Sequence, residues 1–235
     1  MIDLHSHILP GVDDGSKDLE MTRQMLEELT RQGVQTVVAT PHFYAMSDRP
    51  KDFLKRRAVA LKQVAALQGD FPQIIPGAEV AYFEGMTQSG VLEQFRIGTS
   101  ALLLVEMPFC PWSKRMVREL CELQAETGLT PVLAHVDRYL RRKQFLGWEK
   151  ELLEAGVLCQ CNAEAFLKYF TRKWALKQLK LGKIHFLGSD AHNMTTRPPS
   201  LERVAQLVHK KLGREPLDRV TAFSADQLNQ KLSEH

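Results

Sequence analysis

The chain opens Met1-Ile2-Asp3-Leu4-His5-Ser6-His7-Ile8-Leu9-Pro10-Gly11-Val12-Asp13-Asp14-Gly15. Ile2–His5 reads as a short buried strand. His5 and His7, at i and i+2, project from one face where it closes. The same arrangement recurs down the chain. Candidate strands lie at Val34–Ala39, Gln73–Val80, Ala101–Glu106, Thr130–His135, Val157–Asn162 and Ile184–Gly188. His42 follows the second strand, Glu79 lies in the third, Glu106 ends the fourth and His135 the fifth, and Asp190 and His192 follow the seventh.

Between the strands run segments of helical period, near 18–32, 51–68, 113–127, 144–155, 163–181 and 200–212. Met21, Met25, Leu26 and Leu29 form the apolar stripe of the first. Seven strands each followed by a helix imply right-handed βαβ units and a parallel sheet, closed as a barrel or open. No linker or composition break interrupts residues 1–235, so one domain is expected. The polar stretch from Pro216 predicts a short terminal helix near 225–233.

The chain has 235 residues, 44% hydrophobic and 25% charged, and 31 Lys+Arg against 28 Asp+Glu leave a net +3. That balance, without a basic stripe, gives no support for nucleic-acid binding. No apolar run reaches the ~18 residues of a membrane span, and the opening residues lack the basic and apolar regions of a signal peptide. Cys110, Cys121, Cys159 and Cys161 are expected as thiols in a reducing, cytoplasmic setting, with Cys159 and Cys161 buried on one strand face. None is followed six positions later by arginine, which excludes a cysteine phosphatase loop. There is no P-loop and no dinucleotide-binding glycine motif.

The strand-end residues are all nitrogen and oxygen donors, and parallel barrels gather their active sites at that face. A single strand-end histidine is ordinarily structural; this many ligand-type residues on a common face point to metal. Four carboxylates (Asp14, Glu79, Glu106, Asp190) and five histidines exceed what one ion needs. Two or three ions of the Mn, Fe, Zn or Mg type fit, and copper(I) or an iron–sulfur cluster does not. Spacing alone leaves open whether Asp13 or Asp14 is the ligand. His185, His209 and His235 lack such context.

His5-Ser6-His7 with Leu9-Pro10-Gly11-Val12-Asp13-Asp14-Gly15, then Thr40-Pro41-His42, resembles the PHP (polymerase and histidinol phosphatase) superfamily. Within it the opening looks like the CpsB/YwqE-type bacterial metal-dependent tyrosine phosphatases. Gly77-Ala78-Glu79-Val80, Leu104-Val105-Glu106, Ala134-His135 with Arg138-Tyr139, and Ser189-Asp190-Ala191-His192-Asn193 continue the match over about residues 1–200. The resemblance implies an α/β fold, a distorted (β/α)7-type barrel. It also implies three divalent ions, often manganese, at the carboxyl ends of the strands. One ion would take His5, His7, Glu79 and Asp190; a second Glu79, Glu106 and His135; a third Asp14, His42 and His192, which favours Asp14 over Asp13. Arg138 and Arg197 would hold phosphate. Ser16, Val136-Asp137 and Glu164-Ala165 depart from the family pattern without removing a ligand.

The function so implied is hydrolysis of phosphotyrosine by attack of metal-activated hydroxide on phosphorus. The substrate would be a bacterial tyrosine kinase of capsule or exopolysaccharide synthesis. The rivals are a small-molecule phosphatase of the histidinol-phosphate kind and a PHP nuclease or phosphodiesterase. Phe43, Tyr44, Tyr82, Phe83, Phe109 and Trp112 follow site residues and would either wall a phenyl pocket or pack on the barrel rim. Arg138, Arg141, Arg142 and Lys143 make a basic cluster in which only Arg138 has support as a phosphate ligand. Oligomeric state has no signature in the sequence.

Overall fold

The computed structural model describes residues 1–142 and 144–230, with the side chains of 140–146 left aside. The strands are β1 (Ile2–Ser6), β2 (Thr36–Ala39), β3 (His42–Phe43), β4 (Gln73–Pro76), β5 (Glu79–Ala81), β6 (Leu102–Glu106), β7 (Thr130–Leu133), β8 (Leu158–Asn162) and β9 (Phe186–Gly188). All pair in parallel, in the orders β1-β2-β4 and β3-β5-β6-β7-β8-β9. The nine segments occupy the seven expected positions, because β2 and β3 are halves of one strand and β4 and β5 of another. Pro41, which has no N–H to donate, interrupts the first pair, and Gly77-Ala78 the second. The ring closes where the Asp190 amide donates to the His5 carbonyl at 2.8 Å and the His7 amide to the Ala191 carbonyl at 2.9 Å.

Helices α1 (Leu19–Arg31), α2 (Pro50–Ala65), α3 (Lys114–Thr127), α4 (Gln144–Glu154), α5 (Ala163–Leu167), α6 (Tyr169–Lys180), α7 (Leu201–Leu212) and α8 (Glu215–Asn229) cover the barrel. Asp18 caps α1 by accepting from the Met21 amide, and the buried stripe Met25, Leu26 and Leu29 faces the strands. The helix expected over 163–181 is two helices, broken by an extended Lys168. Arg172 donates to the Phe166 and Leu167 carbonyls, closing the first piece. The short terminal helix was expected too late in the chain: α8 begins at Glu215, and 231–233 lie outside the described residues. Phe223 and Leu228 of α8 pack on the interior cluster of Leu4, Val38, Leu102, Leu104, Val132 and Phe186.

Inside the barrel each strand changes character along its length. Leu102 and Leu104 precede Glu106 on the inner face of β6, and Leu158 precedes Gln160 and Asn162 on that of β8. An apolar plug therefore fills the amino end and a polar layer lies above it at the carboxyl end. Cys159 and Cys161 alternate to the outer face of β8 and are buried. No helix among the described residues is long and apolar enough to cross a membrane.

Candidate metal centre

The register of β1 on β2 slips between Asp3 and Ser6. The irregularity lets His5 turn toward the site although its neighbour Leu4 also packs inside; bulges at barrel rims re-aim side chains in this way. His5 Nε2 lies 3.1 Å from His7 Nε2 and 3.1 Å from Glu79 Oε2, and His7 Nε2 lies 3.3 Å from the same oxygen. Asp190 Oδ1 is 3.7 Å from His5 Nε2 and 3.5 Å from His7 Nε2. Glu79 sits at the middle. Its Oε1 is 2.9 Å from His135 Nε2, its Oε2 is 3.1 Å from His42 Nδ1, and Glu106 Oε1 is 3.2 Å from His135 Nε2. Asp14 Oδ1 reaches His192 Nε2 at 3.5 Å and His42 Nε2 at 3.7 Å.

All nine expected ligands thus converge. Among the described residues, the donor groups His7, Asp14, His42 and His192; His5, His7 and Asp190; and His42, Glu79 and Glu106 lie close enough together to hold an ion each. These groupings differ in part from the sets implied by resemblance, since His7 joins the Asp14 group and His42 the Glu79–Glu106 pair. Asp14 alone is widely exposed, at 68%, while Asp13 is buried.

The donors fit divalent cations on a separate observation. Glu79 Oε2, His42 Nδ1 and His192 Nε2 are buried and make no well-aligned hydrogen bond among the described residues, although Glu79 Oε2 and His42 Nδ1 are 3.1 Å apart. Buried polar atoms are ordinarily satisfied, and these three all face the cluster. His135 and Asp190 are also the two described non-glycine residues with positive φ, at 32° and 52°. Such backbone strain concentrates at functional sites.

Charge is shared unevenly. Burial pushes the Glu79 carboxyl up, but His5, His135 and His7 outweigh it and hold the group well below the usual range. Burial lowers His135, yet Glu106 and Glu79 raise it to about 9. Burial, His7 and Arg197 bring His192 down to about 3.

Arg138 Nη2 pairs with Asp190 Oδ2, and Arg197 Nη2 lies 2.6 Å from Asp190 Oδ1. One guanidinium therefore contacts each oxygen of that carboxylate. Both arginines border a cleft of about 240 Å³ that also includes Asn162 and Arg203. Each is roughly one-third exposed, and a guanidinium has five donors, so further acceptors can be held.

Two of the three supporting residues, Gln160 and Asn162, were not singled out from sequence as parts of the site, and the third, Asp13, was weighed there only as the alternative ligand to Asp14. Asp13 orients His7 through Nδ1. Gln160 Oε1 sits 3.1 Å from His5 Nδ1 and accepts from the His135 amide at 2.7 Å. Asn162 donates to Asp190 Oδ2 at 2.7 Å and is itself held by Asp137, which accepts from its amide at 2.9 Å. The signal for the last two was strand parity, because Gln160 and Asn162 face the barrel opposite Cys159 and Cys161. His185 is structural, accepting from the Cys159 amide at 2.9 Å.

The family described as capsular polysaccharide synthesis, CpsB/CapC, matches residues 1–229. The tyrosine-protein phosphatase CpsB of Streptococcus agalactiae serotype V is 30% identical over 238 residues, covering 97% of this chain and 98% of that protein. The tyrosine-protein phosphatase YwqE of Bacillus subtilis is 28% identical over 220 residues, covering 92% and 86%. Among solved structures, one described as YwqE from Bacillus subtilis and CpsB from Streptococcus pneumoniae, unique metal-dependent tyrosine phosphatases, matches with a TM-score of 0.85 at 25% identity. That match covers 100% of this chain and 97% of the other.

Proposed function

The chain belongs to the CpsB/CapC family, and we propose on that premise that it is a metal-dependent tyrosine phosphatase acting in capsule or exopolysaccharide synthesis. The observation that carries the reading is the convergence of nine metal-capable side chains beside two arginines at one end of the barrel. His5, His7, Asp14, His42, Glu79, Glu106, His135, Asp190 and His192 would hold three divalent ions, with manganese the expected metal. Divalent cations bound there supply Lewis acidity toward phosphoryl oxygens and lower the pKa of a bound water toward neutrality.

The remaining work falls to the chain. Arg138 and Arg197 present charge-assisted donors to the phosphoryl oxygens and fix their orientation. Gln160 and Asn162 hold His5 and Asp190 in place, and the apolar plug closes the barrel beneath the cluster. The leaving tyrosine phenolate, with a pKa near 10, asks little of a general acid. The substrate is a phosphotyrosine protein, for which a bacterial tyrosine kinase is the expected partner, and the site of action is the cytoplasm.

The test compares a phosphotyrosine peptide, histidinol phosphate and single-stranded DNA, each with chelator and with added Mn²⁺, Fe²⁺, Zn²⁺ or Mg²⁺. Peptide hydrolysis should dominate, vanish with chelator and return best with Mn²⁺. A large preference for histidinol phosphate would overturn the substrate. Activity that survives complete metal removal would overturn the chemistry.

A further inference from the structure

Six aromatic residues follow site positions in sequence, and the structure separates them. Phe43 is buried and stacks on Phe95 at 4.1 Å. Trp112 is buried, lies edge-on to Tyr139 at 4.9 Å and donates Nε1–H to the Pro108 carbonyl. Tyr82 donates its hydroxyl to Glu119 Oε2 at 2.9 Å, and Phe83 packs on the outer core. These four serve the scaffold. Tyr44 and Phe109 remain, 42% and 41% exposed, with Phe109 held from behind by Tyr139 at 5.5 Å.

Each of these two rings lies against a histidine of the cluster. Tyr44 stacks on His42 with centroids 5.1 Å apart and planes at 25°, and Phe109 stacks on His135 at 5.8 Å and 19°. His42 and His135 contact opposite oxygens of the same Glu79 carboxylate. The two rings thus back two histidines that meet at one carboxylate. Tyr44 is also anchored, since its carbonyl accepts from the Ser47 and Asp48 amides.

Strand order gives the arrangement a direction. Tyr44 and Phe109 follow β3 and β6, whereas Arg138 and Arg197 follow β7 and β9, so the barrel mouth has an aromatic arc and a cationic arc. We propose that Tyr44 and Phe109 are the walls that receive the aryl ring of a phosphomonoester whose phosphoryl group lies toward Arg138 and Arg197. The assignment rests on the phosphatase reading and deepens it, because it places selection for aryl over alkyl monoesters in two named side chains. Offset or edge contacts with two fixed rings favour a flat aromatic group over an alkyl chain.

The test is calorimetric titration of the manganese-loaded full-length protein with phenylphosphonate and with methylphosphonate, neither of which can be hydrolysed as an ester. The wild type should bind the phenyl compound more tightly. Tyr44→Leu and Phe109→Leu should each narrow that preference about 3- to 10-fold with bound metal unchanged. Tyr44→Phe should keep the preference, because the ring and not the hydroxyl carries it. Phe170→Ala, at a ring 87% exposed on α6, should change neither affinity.

An unchanged preference in the double leucine variant overturns the assignment. So does equal weakening of both ligands with loss of metal, which would make the rings supports for His42 and His135. A protein that prefers the phenyl compound but fails to hydrolyse phosphotyrosine retains the assignment and loses the phosphatase reading. Hydrolysis without phenyl preference does the reverse.

Discussion

His7 Nδ1 lies 2.6 Å from Asp13 Oδ2, and the same carboxylate accepts from the amides of His42 and Gly15. Burial pushes Asp13 up, but His7 and the two amides hold it well below the usual carboxylate range. An ionised carboxylate only accepts, so Nδ1 carries the proton and Nε2 faces the cluster. Asp13 would therefore orient a metal-binding histidine, while Asp14 would itself be a ligand.

Asp13→Asn should weaken metal binding about 10- to 100-fold, the usual cost of losing a carboxylate behind a ligand histidine. Competition with a calibrated chelator measures it. Wild-type affinity in the variant would remove Asp13 from the supporting shell.

Arg138→Ala and Arg197→Ala should each reduce phosphotyrosine hydrolysis about 10²-fold while metal content stays at the wild-type level. Elemental analysis alongside steady-state kinetics checks both halves. Parallel loss of metal and activity would assign the arginines to Asp190 and not to phosphate.

Gly188→Ala tests how tightly the floor of the site is packed. A Cβ there would lie 2.5 Å from His5 Cβ and 2.7 Å from Gln160 Nε2. The variant should lose about 2 kcal/mol or more of stability, typical of overpacking, and bind metal weakly. Urea titration and chelator competition read the two effects, and a variant matching wild type in both would show that β9 can yield.

Asp3 sets a pH dependence. Burial raises its carboxyl from 3.8 to about 6, against opposing hydrogen bonds from Ser189 and His5. Between those values the folded chain binds more protons than the unfolded one, so stability falls as pH rises through the window and stays lower above it. Asp3→Asn should remove that decline. In chelator, its stability relative to wild type should improve by about 2–3 kcal/mol between pH 4 and 6.5 in urea melts. A constant difference across that range would show that Asp3 ionises as it does in the unfolded chain.

The seven strand positions and the nine converging residues were legible because each strand is short, apolar and closed by a chemically distinctive residue. What escaped was set by contacts distant in sequence. Pro41 lies past the expected end of its strand and Gly77 inside the expected strand Gln73–Val80, and the chain breaks at both; Gly77 and Glu79 still donate across the gaps to the Ala39 and Pro41 carbonyls, so the barrel positions continue. Lys168 carries no breaker signal; the helix stops there because Arg172 reaches back to α5. α8 reads as polar because its apolar contacts are few and split, with Leu217 and Val220 in the outer core and Phe223 and Leu228 at the barrel floor. The order of the candidate ligands along the chain was visible, but not which of two adjacent aspartates turns inward.

The seam between β1 and β9 joins the two ends of the barrel through the backbones of His5, His7, Asp190 and Ala191. Closing it brings together residues about 185 positions apart in the chain, the slowest kind of contact to form. Seam closure is therefore expected late in folding. A cation shared by His5, His7 and Asp190 would act on kinetics as a clasp, slowing unfolding far more than it speeds folding. Metal supply would then govern how long each molecule lasts as well as how fast it works.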